Sequence, residues 1–449
     1  MNAPFRRGAC PELSAPMPTG DGLLIRLSPA GTIALDALAG LCAAARSHGN
    51  GIVEVTARGS IQVRGLTAAS APAFAHAVAT PRIDGNGHVQ VVADPLAGLA
   101  PDAALDADAL AAALRDALAA TAWAAGLNPK VSVVIDAGAE LHLDAMAADV
   151  RLRAEIGRDG SHLHVALGGD ATTAVPIGRV APEHAVEAAM RLLAAIAARG
   201  RDARARDIVR GEGMGALRAA AADFLTDAPP PPARTATEPI GTHRLHGGLL
   251  AYGLGLAFGH TDASALGQLI DAAKIAGASG IRAAPGRALL IVGIAPAMAP
   301  AVSATAERLG FIVRPADPRR HIAACPGMPL CASAQAPTRT LGPMVATAAA
   351  SLLDGSLTLH LSGCAKGCAH ARAAALTVVG EPGGYGVVVN GSACDRPLGA
   401  VAADALPSCL ARLAAEVEHA RRPDERAADT LSRLGAARIV SILEEAGRG

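Results

Sequence analysis

Residues 20–65, GDGLLIRLSPAGTIALDALAGLCAAARSHGNGIVEVTARGSIQVRG, and residues 246–293, HGGLLAYGLGLAFGHTDASALGQLIDAAKIAGASGIRAAPGRALLIVG, are two versions of one pattern. Each reads strand, helix, strand, strand. Leu35, Leu38, Leu41 and Ala45 fall at helical spacing in the first copy, as do Leu266, Leu269 and Ala273 in the second, and a glycine-bearing turn follows each helix. The segment IVEVTARGSIQV alternates apolar and polar residues, as a half-buried antiparallel pair does. Arg58 of the first copy falls opposite Arg287 of the second. One such unit cannot cover both faces of its sheet, so the two copies are expected to pair about a pseudo-twofold axis.

The repeat extends beyond these units. After the first come a helix, ALDADALAAALRDALAATAWAAGL, the strands KVSVVID and HLHVALG, and a closing helix, PEHAVEAAMRLLAAIAARG. After the second come the helix LGPMVATAAASLLDG, the strands LTLHLSG, AALTVVG and GYGVVVNG, and the helix ADALPSCLARLAAEVEHARR. Between the halves, DAPPPPARTATEPIG (227–241) breaks every period and favours extended backbone. The expected fold class is α+β with two pseudo-symmetric halves: a small unit over 14–80 and an α/β lobe over 81–226, a proline-rich linker over 227–241, then a second small unit over 242–315 and a second lobe over 316–449.

Composition narrows the function. Lys plus Arg and Asp plus Glu number 40 each, so no global field attracts nucleic acid, and any bound anion must meet a local cluster. Aromatic residues make up 2% of the chain, too few for base-stacking platforms. The first 22 residues carry an arginine pair with no apolar stretch behind it, so no export signal is expected and the protein is read as cytoplasmic. The uncharged run Ala288–Ala306 contains Pro296 and Pro300 and begins as a strand, which argues against a membrane span. Cys10, Cys42, Cys394 and Cys409 stand alone and read as structural filler.

The other four cysteines stand in pairs. AACPGMPLCASAQ (323–335) holds Cys325 and Cys331, and LSGCAKGCAH (361–370) holds Cys364 and Cys368. In a reducing compartment such pairs point to metal ligation rather than disulfides. Pro326 and Pro329 stiffen the first loop, and Gly363 and Gly367 let backbone N–H groups of the second point at sulfur. Cys-x5-Cys is a wide spacing for a zinc knuckle, so the pattern favours a 4Fe-4S cluster over zinc or four unligated thiols.

Cys-x5-Cys followed by GCAKGC, in a chain of two related halves, resembles the sulfite and nitrite reductase family. The resemblance implies ferredoxin-like half-domains, each with an α/β lobe, and a 4Fe-4S cluster on Cys325, Cys331, Cys364 and Cys368, bridged in that family to the iron of sirohaem. It also implies that TARGSIQVRG (56–65) faces a carboxylated tetrapyrrole. Counted along one strand, Arg58, Gln62 and Arg64 share a face, and guanidinium forks suit carboxylates. Lys130 and Arg287 complete the candidate tetrapyrrole-binding set.

Two cations expected of the reductases are missing. DGNGHVQVVADPLAG (84–98) has no arginine beside its asparagine, and LNPKVSVVID (127–136) keeps only Lys130. Reduction of a small oxyanion needs that charge. With the opening RRGACPELSAPMPTGDGLLIRL, the chain resembles a branch of the family working in aerobic cobalamin biosynthesis. That resemblance implies a monooxygenase, with dioxygen and two external electrons hydroxylating precorrin-3A at C20 and an acetate side chain closing a γ-lactone.

No dinucleotide fingerprint or flavin-binding half is present, so electrons must come from a separate reduced carrier or NADH-linked reductase. Dioxygen activation calls for a second iron centre, either sirohaem or a non-haem iron, for which His88, His321 and His370 are candidates without diagnostic spacing. The alternatives are a sirohaem-dependent nitrite or sulfite reductase and a non-catalytic iron–sulfur electron carrier.

Overall fold

In the computed structural model, residues 11–79, 83, 89–158 and 160–446 are described. His88 and Cys10 lie outside them. The first half opens with strands β1 (Met17–Thr19) and β2 (Gly22–Leu27), helix α1 (Leu35–His48), strands β3 (Ile52–Val55) and β4 (Ile61–Leu66), and helix α2 (Ala71–Val78). Its α/β lobe has β5 (Gln90–Ala93), α3 (Ala107–Ala119), β6 (Ser132–Asp136), β7 (Ala148–Gly157), β8 (Gly160–Gly169), β9 (Val175–Val180), α4 (Ala185–Ala197), α5 (Ala205–Glu212) and α6 (Gly215–Ala220).

The second half follows the same plan. Strands β10 (Gly241–Arg244), β11 (Leu250–Gly255) and β12 (His260–Asp262) precede α7 (Ala263–Ile275), β13 (Gly280–Ala284), β14 (Ala288–Ile294) and α8 (Ala299–Arg308). The second lobe has β15 (Ile322–Ala324), α9 (Thr338–Ala348), β16 (Leu359–Ser362), β17 (Ala374–Glu381), β18 (Gly384–Gly391), β19 (Gly399–Ala402), α10 (Leu406–Ala420) and α11 (Ala427–Ala446). The last helix bends at Gly435, whose φ is 73°.

The two lobes have one topology. Their sheets run β5-β6-β7-β8-β9 and β15-β16-β17-β18-β19. In each the first two pairings are parallel and the last two antiparallel. The helix linking the parallel strands is α3 in one lobe and α9 in the other. Asp106 caps α3 through Asp108 N and Ala109 N, and buried Ala107, Ala111, Leu114 and Leu118 form its inner stripe.

The small units are fused more closely than pairing alone requires. Sheet order β1-β2-β4-β3-β12 shows that β12, from the second half, completes the first half's sheet, Glu54 facing His260. Ile33 in turn bridges Ile281 on β13. One apolar core serves both units, with Leu38, Leu41 and Ala45 of α1 beside Leu266, Leu269 and Ala273 of α7, all buried. Cutting Leu38 or Leu269 to alanine there costs about 2–5 kcal/mol.

Some expectations need correction. The helix read through residue 127 ends at Ala119 and continues after a break as a short 3-10 turn. Strands β1, β5, β7, β9, β10, β12, β15 and β19 and helices α2, α5, α6, α8 and α11 were not read from the periodicity. Cys42 and Cys409 are buried, but Cys394 is exposed and is not core filler. No helix of the described residues is long and apolar enough to cross a membrane.

Candidate active site

The polar row of the first sheet begins the site. Across β2, β4, β3 and β12 the paired residues are Arg26, Gln62, Glu54 and His260, four polar side chains in register on one face. The opposite face carries Ile25, Val53, Val55, Ile61 and Val63 into the shared core. With its amide oriented to satisfy both neighbours, Gln62 donates to Glu54 Oε2 (2.9 Å) and accepts from Arg26 Nε (2.9 Å) and Nη2 (2.8 Å). Arg64, two residues along β4, donates to Glu54 Oε1 at 3.2 Å and Asp21 Oδ1 at 3.3 Å. Burial holds the Glu54 carboxyl above its usual range, and Arg64 pulls against that.

This face floors a cleft of about 550 Å3 lined by Arg26, Gln62, Arg64, Arg287, Arg320 and Arg372, with His321, His370, Cys325 and Cys368 also on its wall. Arg320 is committed to Glu238 at 2.7 Å. Among the described residues, Arg287 and Arg372 make no hydrogen bond or ion pair with another side chain. Arg287 sits at φ 62° in the β13–β14 turn, and Gly259 makes room for it, since a Cβ there would lie 2.8 Å from Arg287 Cδ. Desolvation lowers the Arg287 pKa and the Glu54 carboxylate pulls against it, so an anionic ligand there would further favour the charged guanidinium.

The candidate set divides. Gln62, Arg64 and Arg287 line the cleft. Arg58 does not share their face, because it lies in the turn between β3 and β4, where strand parity fails. Its guanidinium donates to Ala147 O (3.0 Å) and Ser132 Oγ (3.4 Å) of the first lobe. Lys130 is exposed on the turn before β6, away from the cleft lining. The hairpin turns bearing Arg58 and Arg287 do meet, with Gly286 N donating to Ala57 O at 3.1 Å, but their arginines diverge. Arg26, Glu54, Arg320 and Arg372 were missed. Two of them left a signal, Arg26 in LLIRL and Glu54 as the polar residue of the alternating IVEV.

Four thiols close one end of this cleft or lie just behind it. Cys325 follows β15, and the Gly363 N–H donates to its Sγ at 3.1 Å. Burial pushes the Cys325 thiol up, while N–H groups of Gly363 and Gly327 pull it down. For Cys368, desolvation acts first and Arg64 opposes it, and the other three cysteines each push its pKa up, which puts all four within electrostatic reach. Gly20 presses against the cradle, since a Cβ there would meet Cys331 Sγ at 2.4 Å. Gly363 is equally confined, with Ala334 Cβ 2.8 Å from its would-be Cβ.

Among the described residues, the ligating groups whose atoms fall within 4.8 Å of one another are Glu155–His162–His164 and Asp136–His142–Asp144, not the thiols. Tetrahedral zinc at about 2.3 Å per thiolate would draw sulfurs closer than that. The wider cradle suits a cluster with iron at its corners. His360, fully buried on β16 four residues before Cys364, has neither ring nitrogen partnered and faces His370 at 5.8 Å.

The first lobe contains the same loop without thiols. Asp94 follows β5 as Cys325 follows β15, and Ala137 N donates to Asp94 Oδ2 at 2.9 Å as Gly363 N does to sulfur. Arg234 of the linker donates to both Asp136 and Asp144, pinning the linker across this lobe. Only the second lobe keeps the cysteines.

Comparison with known proteins agrees with this architecture. The model of the nitrite/sulfite reductase ferredoxin-like half domain matches residues 15–80. The chain is similar to a precorrin-3B synthase of Sinorhizobium sp, 40% identical over 444 residues, which covers 99% of this chain and 96% of that protein. A sulfite reductase [ferredoxin] 1 of Mycolicibacterium paratuberculosis is 27% identical over 177 residues, 37% of this chain and 32% of the other. The solved structure of the Mycobacterium tuberculosis NirA protein superposes with a TM-score of 0.70 at 20% identity, covering 93% of this chain and 84% of its own. That last likeness concerns the fold.

Proposed function

The chain belongs to the precorrin-3B synthase family, and from that premise we propose that its cleft takes precorrin-3A and hydroxylates it at C20, an acetate side chain then closing a γ-lactone. The reaction is that of an oxidoreductase. One oxygen atom of dioxygen adds at C20 across the ring double bond there, the acetate oxygen bonds the neighbouring carbon of that double bond as its proton passes to the C20 oxygen, and the other oxygen atom leaves as water, taking two protons and two electrons from an external reduced donor. With no dinucleotide fingerprint in the chain, that donor is a separate protein, and a reducing cytoplasm suits the free thiols.

The observation that carries the reading is a cationic cleft, in which Arg287 and Arg372 make no side-chain hydrogen bond or ion pair among the described residues, set against the four-thiol cradle. Guanidinium groups there would clamp the peripheral carboxylates of a tetrapyrrole bidentately and fix its orientation. Glu54 is satisfied by Arg64 and Gln62, so it holds those side chains in place rather than repelling the substrate. Cys325, Cys331, Cys364 and Cys368 would hold the 4Fe-4S cluster, with Gly363 N–H stabilising the Cys325 thiolate. A cluster bound there would supply electrons one at a time beside the cleft. Among the described residues, His321 and His370 line the cleft but fall in no group of three close ligating side chains.

The sirohaem-dependent reductase is the second reading, favoured by the half-domain match at 15–80. Oxygen-protected protein given a reduced donor separates them. Precorrin-3A under 18O-labelled dioxygen should gain one labelled oxygen. Reduction of nitrite to ammonia without precorrin turnover would overturn the proposal, and an iron–sulfur spectrum with no tetrapyrrole affinity would identify a bare electron carrier.

A further inference from the structure

We propose that Glu155, His162 and His164, on the β7–β8 hairpin of the first lobe, form a binding site for a borderline divalent transition ion of the zinc class. Glu155 pairs with His162 across the hairpin, and Arg153 with His164, so the three ligands share one face. None of them lines the tetrapyrrole cleft.

The ligand atoms already converge. His164 Nε2 lies 2.6 Å from Glu155 Oε2, His162 Nε2 3.8 Å from the same oxygen, and the two ring nitrogens 3.3 Å apart. Metal–ligand bonds of about 2.0–2.2 Å in a tetrahedron separate ligand atoms by roughly 3.3 Å, in the middle of that range.

Protons serve this arrangement poorly. If His164 Nε2–H donates to Glu155, that nitrogen has no lone pair for His162; if it accepts from His162, the carboxylate beside it has lost its donor. One cation at the centre satisfies all three at once. Gly157 provides the seat for the His162 ring, because a Cβ there would lie 3.0 Å from its Cε1.

The other close group, Asp136–His142–Asp144, is different, because Arg234 already places a guanidinium on both carboxylates. Near the proposed site the competing cation is Arg153, which is turned to the Pro232 carbonyl at 2.8 Å. Three protein ligands leave a fourth position open, and the Glu155 side chain, 39% exposed, gives an ion a way in from solvent.

The test is calorimetric titration of Zn2+ into the cluster-loaded full-length protein after treatment with a weak chelator, with iron–sulfur absorbance followed to exclude binding by released thiols. One equivalent should bind, and His162→Ala, His164→Ala and Glu155→Gln should each weaken binding by at least about tenfold. Because Glu155→Gln keeps the side-chain shape, it guards against a folding artefact. No site tighter than about 1 mM in the parent, or parental affinity in His162→Ala and Glu155→Gln, would overturn the proposal.

Discussion

Asp94 stands in the first lobe where Cys325 stands in the second. Each follows the opening strand of a five-stranded sheet, and each accepts a backbone N–H, from Ala137 at 2.9 Å and Gly363 at 3.1 Å respectively. A duplicated loop thus holds a carboxyl in one copy and a sulfur in the other.

Asp94 should make stability depend on pH. Burial raises its pKa to about 7, with the Ala137 N–H partly offsetting. Between its ordinary value near 3.8 and about 7, the folded chain keeps a proton that the unfolded chain has released, so folded stability falls as pH rises through that window. Asp94→Asn retains an acceptor and has no such loss. The unfolding free energy of the variant relative to the parent should climb from pH 4 to pH 7 and level off above, the full span being at most about 4 kcal/mol. A constant difference across that range would refute the assignment.

Cys325→Ser and Cys364→Ser should each lose the cluster and turnover, since a hydroxyl replaces thiolate poorly at iron. Gly20→Ala is the subtler probe, as its Cβ would lie 2.4 Å from Cys331 Sγ while its backbone needs no left-handed angle. Iron and sulfide content should drop in Gly20→Ala with circular dichroism unchanged.

Arg287→Ala and Arg372→Ala should each weaken tetrapyrrole binding about tenfold to a hundredfold, the worth of a charge-assisted hydrogen bond. Arg58→Ala should leave that affinity alone, because its guanidinium serves Ala147 and Ser132. Fluorescence or absorbance titration with an acidic tetrapyrrole reads both outcomes.

Arg64→Met should destabilise the first small unit by about 3–5 kcal/mol, because Glu54 and Asp21 lose their buried partner. Adding Glu54→Gln to that variant should recover part of the loss in a denaturation series. If the two substitutions are simply additive, the pair is not coupled.

Local patterns explain what the amino-acid sequence disclosed. Helices α1 and α7 were legible because Leu38, Leu41, Leu266 and Leu269 recur at helical spacing, and the cysteine pairs because their spacing is specific. Arg58 was misplaced because side-chain parity was counted through Thr56–Ser60, a turn rather than a strand. Lys130 was carried by resemblance alone, and the fold leaves it in solvent. Arg26, Arg320 and Arg372 come from three elements that meet only in three dimensions. Strand β12 is three residues long, HTD, too short to show a period.

That short strand carries a consequence for the molecule's history and handling. Since His260–Asp262 seals an edge belonging to the other half, severing the chain at its proline-rich bridge would yield two fragments that each lack a piece the other owns, competent only when mixed.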